Sequence, residues 1–218
     1  MGTFRNLMHD SRDPLEICRF FDDFHGFTAA DWVITTTEAG TGSATEAVAD
    51  GANGILVLTN AAGDNDLDFL QLVKETFAYE AGKALRFATK FKVSDALDSD
   101  VIMGLQVRDT TPLDATDQIC FVKADGDNTL KLLVEKDGTG TTLDVCEMVD
   151  DTYVEVEFYY DGSGSDIDVF ADGARVGSVA LTNAPDDEEL TISFGIQNGE
   201  AAAKVMSVDY ILAECERT

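Results

Sequence analysis

From Ile17 onward, apolar and polar positions alternate with a period of two, and turn residues interrupt the runs. Leu85, Phe87, Phe91 and Val93 fall on one face of their run, with Arg86, Lys90 and Lys92 on the other. Val154, Val156 and Phe158 alternate with Glu155 and Glu157, and Ile192, Phe194 and Ile196 alternate with Thr191, Ser193 and Gln197. Near the end, Met206, Val208, Tyr210 and Leu212 oppose Ser207 and Asp209. One greasy face and one wet face predict antiparallel strands packed on a single side.

The breaks between runs carry turn chemistry. Asp50-Gly51, Asp125-Gly126, Asp137-Gly138, Asp161-Gly162 and Asp172-Gly173 are pairs that accept the positive φ angles of tight hairpins. The segment 169–176, with Asp172-Gly173 at its centre, is the clearest hairpin. The template reading gives about 14 strands. Only Phe69–Ala81 has an arguable helical pattern, and strand followed by loop is preferred there. Residues 1–16 show neither period and read as an extended N-terminal arm; residues 17–218 form one domain.

Composition narrows the class. Hydrophobic residues make up 44% of the 218, enough for a packed core and too many for a disordered chain. No apolar run approaches the roughly 18 residues of a membrane span. The first 19 residues contain Asp10, Asp13 and Glu16 without an apolar block, which does not match a secretory signal.

Fifteen Lys and Arg against 42 Asp and Glu leave a net charge of −27. Such a surface repels phosphate backbones and anionic headgroups, so neither nucleic acid nor membrane is an expected partner. The plainest reading of the charge is solubility. The first 20 residues are neutral, with Arg5, Arg12 and Arg19 against Asp10, Asp13 and Glu16. A neutral arm on an acidic body is a candidate docking tag.

Cys18, Cys120, Cys146 and Cys215 show no CxxC spacing and no histidine cluster, which argues against zinc. They read as buried free thiols in a reducing compartment, with a Cys18–Cys215 bridge between the terminal strands as the alternative.

Many short strands in one long domain predict an all-β, two-sheet antiparallel β-sandwich. The opening Phe20-Phe21-Asp22-Asp23-Phe24 with Trp32, and the closing Ser207-Val208-Asp209-Tyr210-Ile211-Leu212, resemble the first and last strands of concanavalin A-like jelly-roll domains, the lectins and glucanases. The segments 158–162 and 169–173 resemble adjacent strand-turn elements of the same family. The resemblance covers residues 17–213 and implies that the two end strands pair near the centre of a sheet.

A subgroup is closer still. Segments 28–32 (TAADW), 35–42 (TTTEAGTG), 108–114 (RDTTPLD) and 194–200 (FGIQNGE) resemble concanavalin A-like virion proteins of tailed bacteriophages. That resemblance implies a non-enzymatic capsid decoration or cement protein on the phage head exterior, made in the host cytoplasm. Its partner would be the major capsid protein, and the chain would form a homo-oligomer on the capsid. The expected contact residues are Phe4, Arg5, Leu7, Met8, Arg12 and Leu15 of the arm. The alternative is a lectin-like domain on the virion that contacts host glycans.

Glucanases of this family resemble one another in a Glu-x-Asp-x-(x)-Glu strand that aims its carboxylates into one cleft. The nearest counterpart here is Glu155-Val156-Glu157, where Tyr159 or Tyr160 replaces the third acid, and it reads as a solvated strand face. Asp64, Asp66 and Asp68 imitate calcium-loop spacing, with Glu75 eleven residues after Asp64, but Phe69 stands where the turn needs glycine. They are weak calcium candidates, and Asp125, Asp127 and Asn128 form a second oxygen-rich loop of the same standing. No cofactor is expected. His9 and His25 lack a nucleophile partner at a recognisable spacing, and His25 reads as a turn residue. Trp32 reads as core rather than as a sugar platform. Gly40-Thr41-Gly42 and Gly138-Thr139-Gly140 read as flexible loops, since no helix start or lysine follows either.

Overall fold

The computed structural model describes residues 16–51 and 53–217. Within them the chain forms fifteen strands: β1 Ile17–Asp22, β2 Trp32–Thr37, β3 Thr45–Ala49, β4 Ile55–Thr59, β5 Leu67–Leu72, β6 Ala84–Val93, β7 Ser99–Gln106, β8 Gln118–Lys123, β9 Thr129–Lys136, β10 Thr139–Glu147, β11 Val154–Asp161, β12 Asp166–Ala171, β13 Ala174–Ala180, β14 Thr191–Asn198 and β15 Val205–Glu216. The only helical elements among the described residues are three single turns of 3-10 helix. The six arm residues named above as contacts lie outside the described residues.

The strands form two sheets. One has eight strands in the order β13-β12-β11-β6-β15-β4-β3, with β1 alongside β15; the other has seven in the order β10-β9-β8-β7-β14-β5-β2. Neighbouring strands run antiparallel. The terminal strands pair as expected, from Ile17 opposite Glu216 to Asp22 opposite Ile211.

One apolar layer lies between the sheets, built from every second residue of the long strands. Leu85, Phe87, Phe91 and Val93 of β6 lie beside Val154, Val156 and Phe158 of β11, and all seven are buried. Phe158 stacks on Phe87 at 5.7 Å and meets Phe121 of the opposite sheet at 6.0 Å. Trp32 is a core residue, edge-on to Phe194 at 5.2 Å. Each fully buried ring or branched aliphatic side chain contributes about 1.5–3 kcal/mol through removal from water.

Two sequence expectations need correction. Tyr210 and Leu212 do not face the core. Val208 pairs with Phe91 and Tyr210 with Lys90, leaving Asp209 as an extra residue on β15. That bulge shifts the phase of the strand by one, so Ile211, Ala213 and Cys215 join the interior. Tyr210 turns outward beside Phe21, at 6.3 Å. The second correction concerns β14. Its polar face is not wet: Thr191 and Ser193 are as fully buried as Ile192 and Phe194, because another segment covers them.

The turns divide by residue. Asp137-Gly138 and Asp172-Gly173 take positive φ at both positions, which closes the hairpins β9–β10 and β12–β13. Between β3 and β4 the positive φ angles belong to Asn53 and Gly54 rather than to Asp50-Gly51. The 69–81 stretch is strand followed by loop, as preferred from sequence.

Candidate functional site

The outer face of the seven-stranded sheet carries an ordered array of side chains. Strand register arranges its side chains in rows across β5, β14, β7, β8 and β9. One row runs Phe69, Gly195, Ile102, Val122, Lys131; the next runs Gln71, Ser193, Gly104, Cys120, Leu133. A third, without β5, runs Thr191, Gln106, Gln118, Glu135.

The two glycines let this face close on itself. A β-carbon at Gly195 would sit 2.4 Å from the Phe69 ring and 2.5 Å from the Asp68 carbonyl oxygen. One at Gly104 would meet the Ile119 carbonyl oxygen at 2.5 Å and Cys120 Sγ at 2.8 Å. Without those β-carbons Phe69, Ile102 and Cys120 pack as a second small apolar cluster on the outside of the sheet.

The connection from β7 to β8, residues 107–117, folds back over this cluster and seats Leu113 on it. Buried glutamines tie it down. Gln71 Nε2 donates to Ser193 Oγ at 3.0 Å and to the Val107 carbonyl at 3.3 Å, while its Oε1 accepts the Asp109 N–H at 3.1 Å. Gln106 Nε2 donates to the Pro112 carbonyl at 3.2 Å. Gln118 Nε2 donates to the Ala115 carbonyl at 2.8 Å and to Glu135 Oε2 at 2.7 Å. Arg108 Nη1 adds a bond to the Val73 carbonyl at 2.7 Å.

The chemistry of this face follows. The third row offers two amides, which neither give nor take a proton near neutral pH, and the one carboxylate of that row, Glu135, is bonded to Gln118. Burial pushes the Cys120 thiol well above its ordinary range, so no thiolate is available as a nucleophile. What remains open is a shallow groove of about 420 Å³ beside Leu113, lined by Asp100, Asp114, Leu133 and Gln197 among others. Glu155 and Glu157 stand on the outer face of the other sheet, where Glu157 accepts from Arg86 Nε at 3.0 Å.

The acidic triplet is dispersed. Asp64 is exposed, and Asn65 at φ 62° turns the chain before β5. Asp66 accepts backbone N–H groups from Ala39 (2.5 Å), Gly40 (2.9 Å) and Gly63 (2.7 Å), which hold its carboxyl below the usual carboxylate range. Gly40-Thr41-Gly42 is therefore an anchored loop, not a loose one. Asp68 points between the sheets; burial, and then Glu46 and Glu38, push it up to about 8.

Two other acidic clusters hold lysines. Asp95, Asp98 and Glu200 come together, and Lys204 Nζ sits among them, 2.6 Å from Asp95 and 2.7 Å from Glu200. Lys123 Nζ donates to the carbonyls of Leu97, Ala124 and Asp127 at 3.1–3.3 Å. Asp127 is spent on the Thr129 N–H and on Lys131, bonds that lower it to about 2, and Asp125 donates its N–H to Asp100.

His25 is an exposed bend residue 3.1 Å from Asp23. His9 lies outside the described residues. All four cysteines are free, with Cys120 and Cys215 buried and Cys18 and Cys146 only half-buried. Cys18 and Cys215 stand directly opposite in β1 and β15.

Sequence reasoning missed Phe69, Gly104, Gly195 and the glutamines Gln71, Gln106 and Gln118. Glycines and amides interrupting apolar strand runs were the available signal.

Face-to-face antiparallel sheets of eight and seven strands, with first and last strands side by side, define a concanavalin A-like jelly roll. Solved structures of this architecture superpose over nearly the whole chain. An endo-1,3-β-glucanase from Streptomyces sioyaensis matches with a TM-score of 0.64 at 15% identity, covering 94% of this chain and 99% of its own. Peanut lectin matches with a TM-score of 0.59 at 13% identity, covering 93% and 99%. A protein of unknown function from Shewanella oneidensis MR-1 matches with a TM-score of 0.64 at 15% identity, covering 94% and 89%. These likenesses establish the fold. No family profile and no curated protein matches the sequence.

Proposed function

We propose that this chain is a non-catalytic structural module of a virion: a decoration or cement protein on the phage head exterior, docked on the major capsid protein. The observation that carries the non-catalytic part is the covered sheet face, where the chain's own loop and a row of amides occupy the place of an open carboxylate cleft. Glycoside hydrolysis generally requires two carboxylates flanking the bond, with about 5–9.5 Å between them. The virion part is supported by the four resembling segments. One of them (108–114) lies in the covering loop, and another (35–42) runs from the end of β2 into the loop anchored by Asp66.

In this reading residues 1–16 dock on the lattice, and copies of the chain assemble with its symmetry after synthesis in the host cytoplasm. Phe4, Leu7, Met8 and Leu15 offset the entropy lost when the arm orders, and Arg5 and Arg12 add charge contacts. The acidic body faces outward. Electron microscopy of the particle, with density for the sandwich on the outside of the head, tests the assignment; its absence from the head overturns it.

A second reading, glycan binding, is favoured by the lectin among the structural neighbours and by one groove. Phe20, half-buried against the core residue Trp32, lies beside Asp22, Asp31 and Lys74 at a depression of about 330 Å³. The apolar face of a sugar packs on an aromatic ring while neighbouring carboxylates accept from its hydroxyls. Deleting residues 1–16 separates the two readings: it abolishes capsid association under the first and leaves glycan-array binding unchanged under the second.

A further inference from the structure

We propose that the space between β3, the edge strand of the eight-stranded sheet, and β5, next to the edge strand β2 of the seven-stranded sheet, is a binding site for a divalent cation of the calcium class, held by Asp68 and Glu46 with Glu38 at its rim. The site is independent of the partner assigned above.

Asp68 carries the argument. It is fully buried, and neither of its carboxylate oxygens has a hydrogen-bond donor. A buried carboxylate in that condition is costly, and structures almost always supply it with donors, as Asp66 two residues earlier is supplied with three backbone N–H groups. What faces Asp68 instead is another acid. Glu46 on β3, half-buried, lies within hydrogen-bonding reach of it, and the exposed Glu38 acts on the same carboxyl from the loop after β2.

Asn60 has a further buried oxygen without a donor. Asn60 Nδ2 donates to the carbonyls of Asp66 and Ile196, both at 3.0 Å, and Ile196 is the residue paired with Asp68 across the sheet. Asn60 Oδ1 is left without a partner. The candidate ligands are all carboxylate oxygens. This is the donor set of a hard cation that takes six to eight oxygens, with water completing the shell. Zinc and copper favour nitrogen or sulfur ligands, and no histidine or cysteine is among these groups.

The contrast with the other acidic cluster is informative. At Asp95, Asp98 and Glu200 the chain supplies its own cation, Lys204. The charged groups that act on Asp68 are Glu46 and Glu38, with no lysine or arginine among them. Entry is from the rim, where Glu38 is exposed, and the net charge of −27 concentrates cations at the surface. Since β3 belongs to the eight-stranded sheet and β5 to the seven-stranded one, a bound ion clips the two layers together beside β2.

The test is calorimetric titration of chelator-treated full-length protein with calcium chloride, alongside thermal melting. One site per chain is expected. Calcium at a hundred times its Kd should raise Tm by about 5–10 °C. Asp68→Asn should fold and lose the calcium shift, and Glu46→Gln should weaken binding at least about tenfold, the loss of one charged ligand. Two results overturn the site: no heat and no Tm shift with calcium, magnesium or manganese, which would leave Asp68 and Glu46 sharing a proton, or a calcium shift that survives in both variants.

Discussion

The ring of Phe69 lies across the backbone of Gly195, occupying space 2.4 Å from where a β-carbon would stand. These residues are paired between β5 and β14, and together they close the outer face of the seven-stranded sheet. Gly195→Ala should therefore destabilise by about 2–3 kcal/mol, because both the ring and the Asp68 carbonyl must move. For a domain of this size the melting temperature should fall by roughly 5–10 °C. Calorimetry on the pair of proteins checks it.

The covering loop makes a second prediction. Cys120 is fully buried beneath it, and Leu113 is its apolar anchor. In native protein Cys120 should resist iodoacetamide. Leu113→Ala, costing about 1.4 kcal/mol of loop closure at a half-buried site, should raise Cys120 alkylation about tenfold. Mass spectrometry of the labelled peptides reads this out, with half-buried Cys146 as internal reference.

Asp66 makes the fold sensitive to acid. Its folded carboxyl lies below its ordinary value, so its contribution is complete above pH about 4. Acidification through the folded value removes it as the carboxylate takes up a proton. Asp66→Ala should melt lower than wild type at pH 7, and the gap should shrink as the pH falls from the ordinary aspartate value of about 4 through the lower folded one. Hydrogen exchange should show the loss first at the amides of Ala39, Gly40 and Gly63.

The bulge at Asp209 is testable by deletion. Removing this residue makes Val208 opposite Phe91 and Tyr210 opposite Lys90 consecutive pairs of a regular ladder, so Tyr210 and Leu212 stay outward and Ile211 and Ala213 stay inward. The deletion should retain cooperative thermal unfolding, whereas inserting one alanine between Tyr210 and Ile211, which turns Ile211 and Ala213 outward, should abolish it. Circular dichroism melts distinguish the two.

These residues also show where sequence was sufficient. Strands β6, β11 and β14 were legible because both of their faces obey a period of two, and Trp32 because a large ring after the first strand has few places to go but the core. Tyr210 and Leu212 were misread because a single inserted residue reverses every later side chain, and nothing local marks Asp209 as that residue. The covered face was hidden for a different reason. Gly195 meets Phe69, and Gln71 meets Ser193, only through pairing of strands more than a hundred residues apart. Asp66 and Asp68 look equivalent by spacing; one is bonded to three amides and the other faces a second acid, a distinction set by tertiary neighbours alone.

Reducing-sugar release from a panel of β-glucans tests most directly whether this jelly roll binds rather than turns over. No release above buffer is predicted over long incubation, with or without calcium. Sustained release that disappears in Glu135→Gln would contradict the account, since it would place a working carboxylate on the face that Leu113 and the glutamines close.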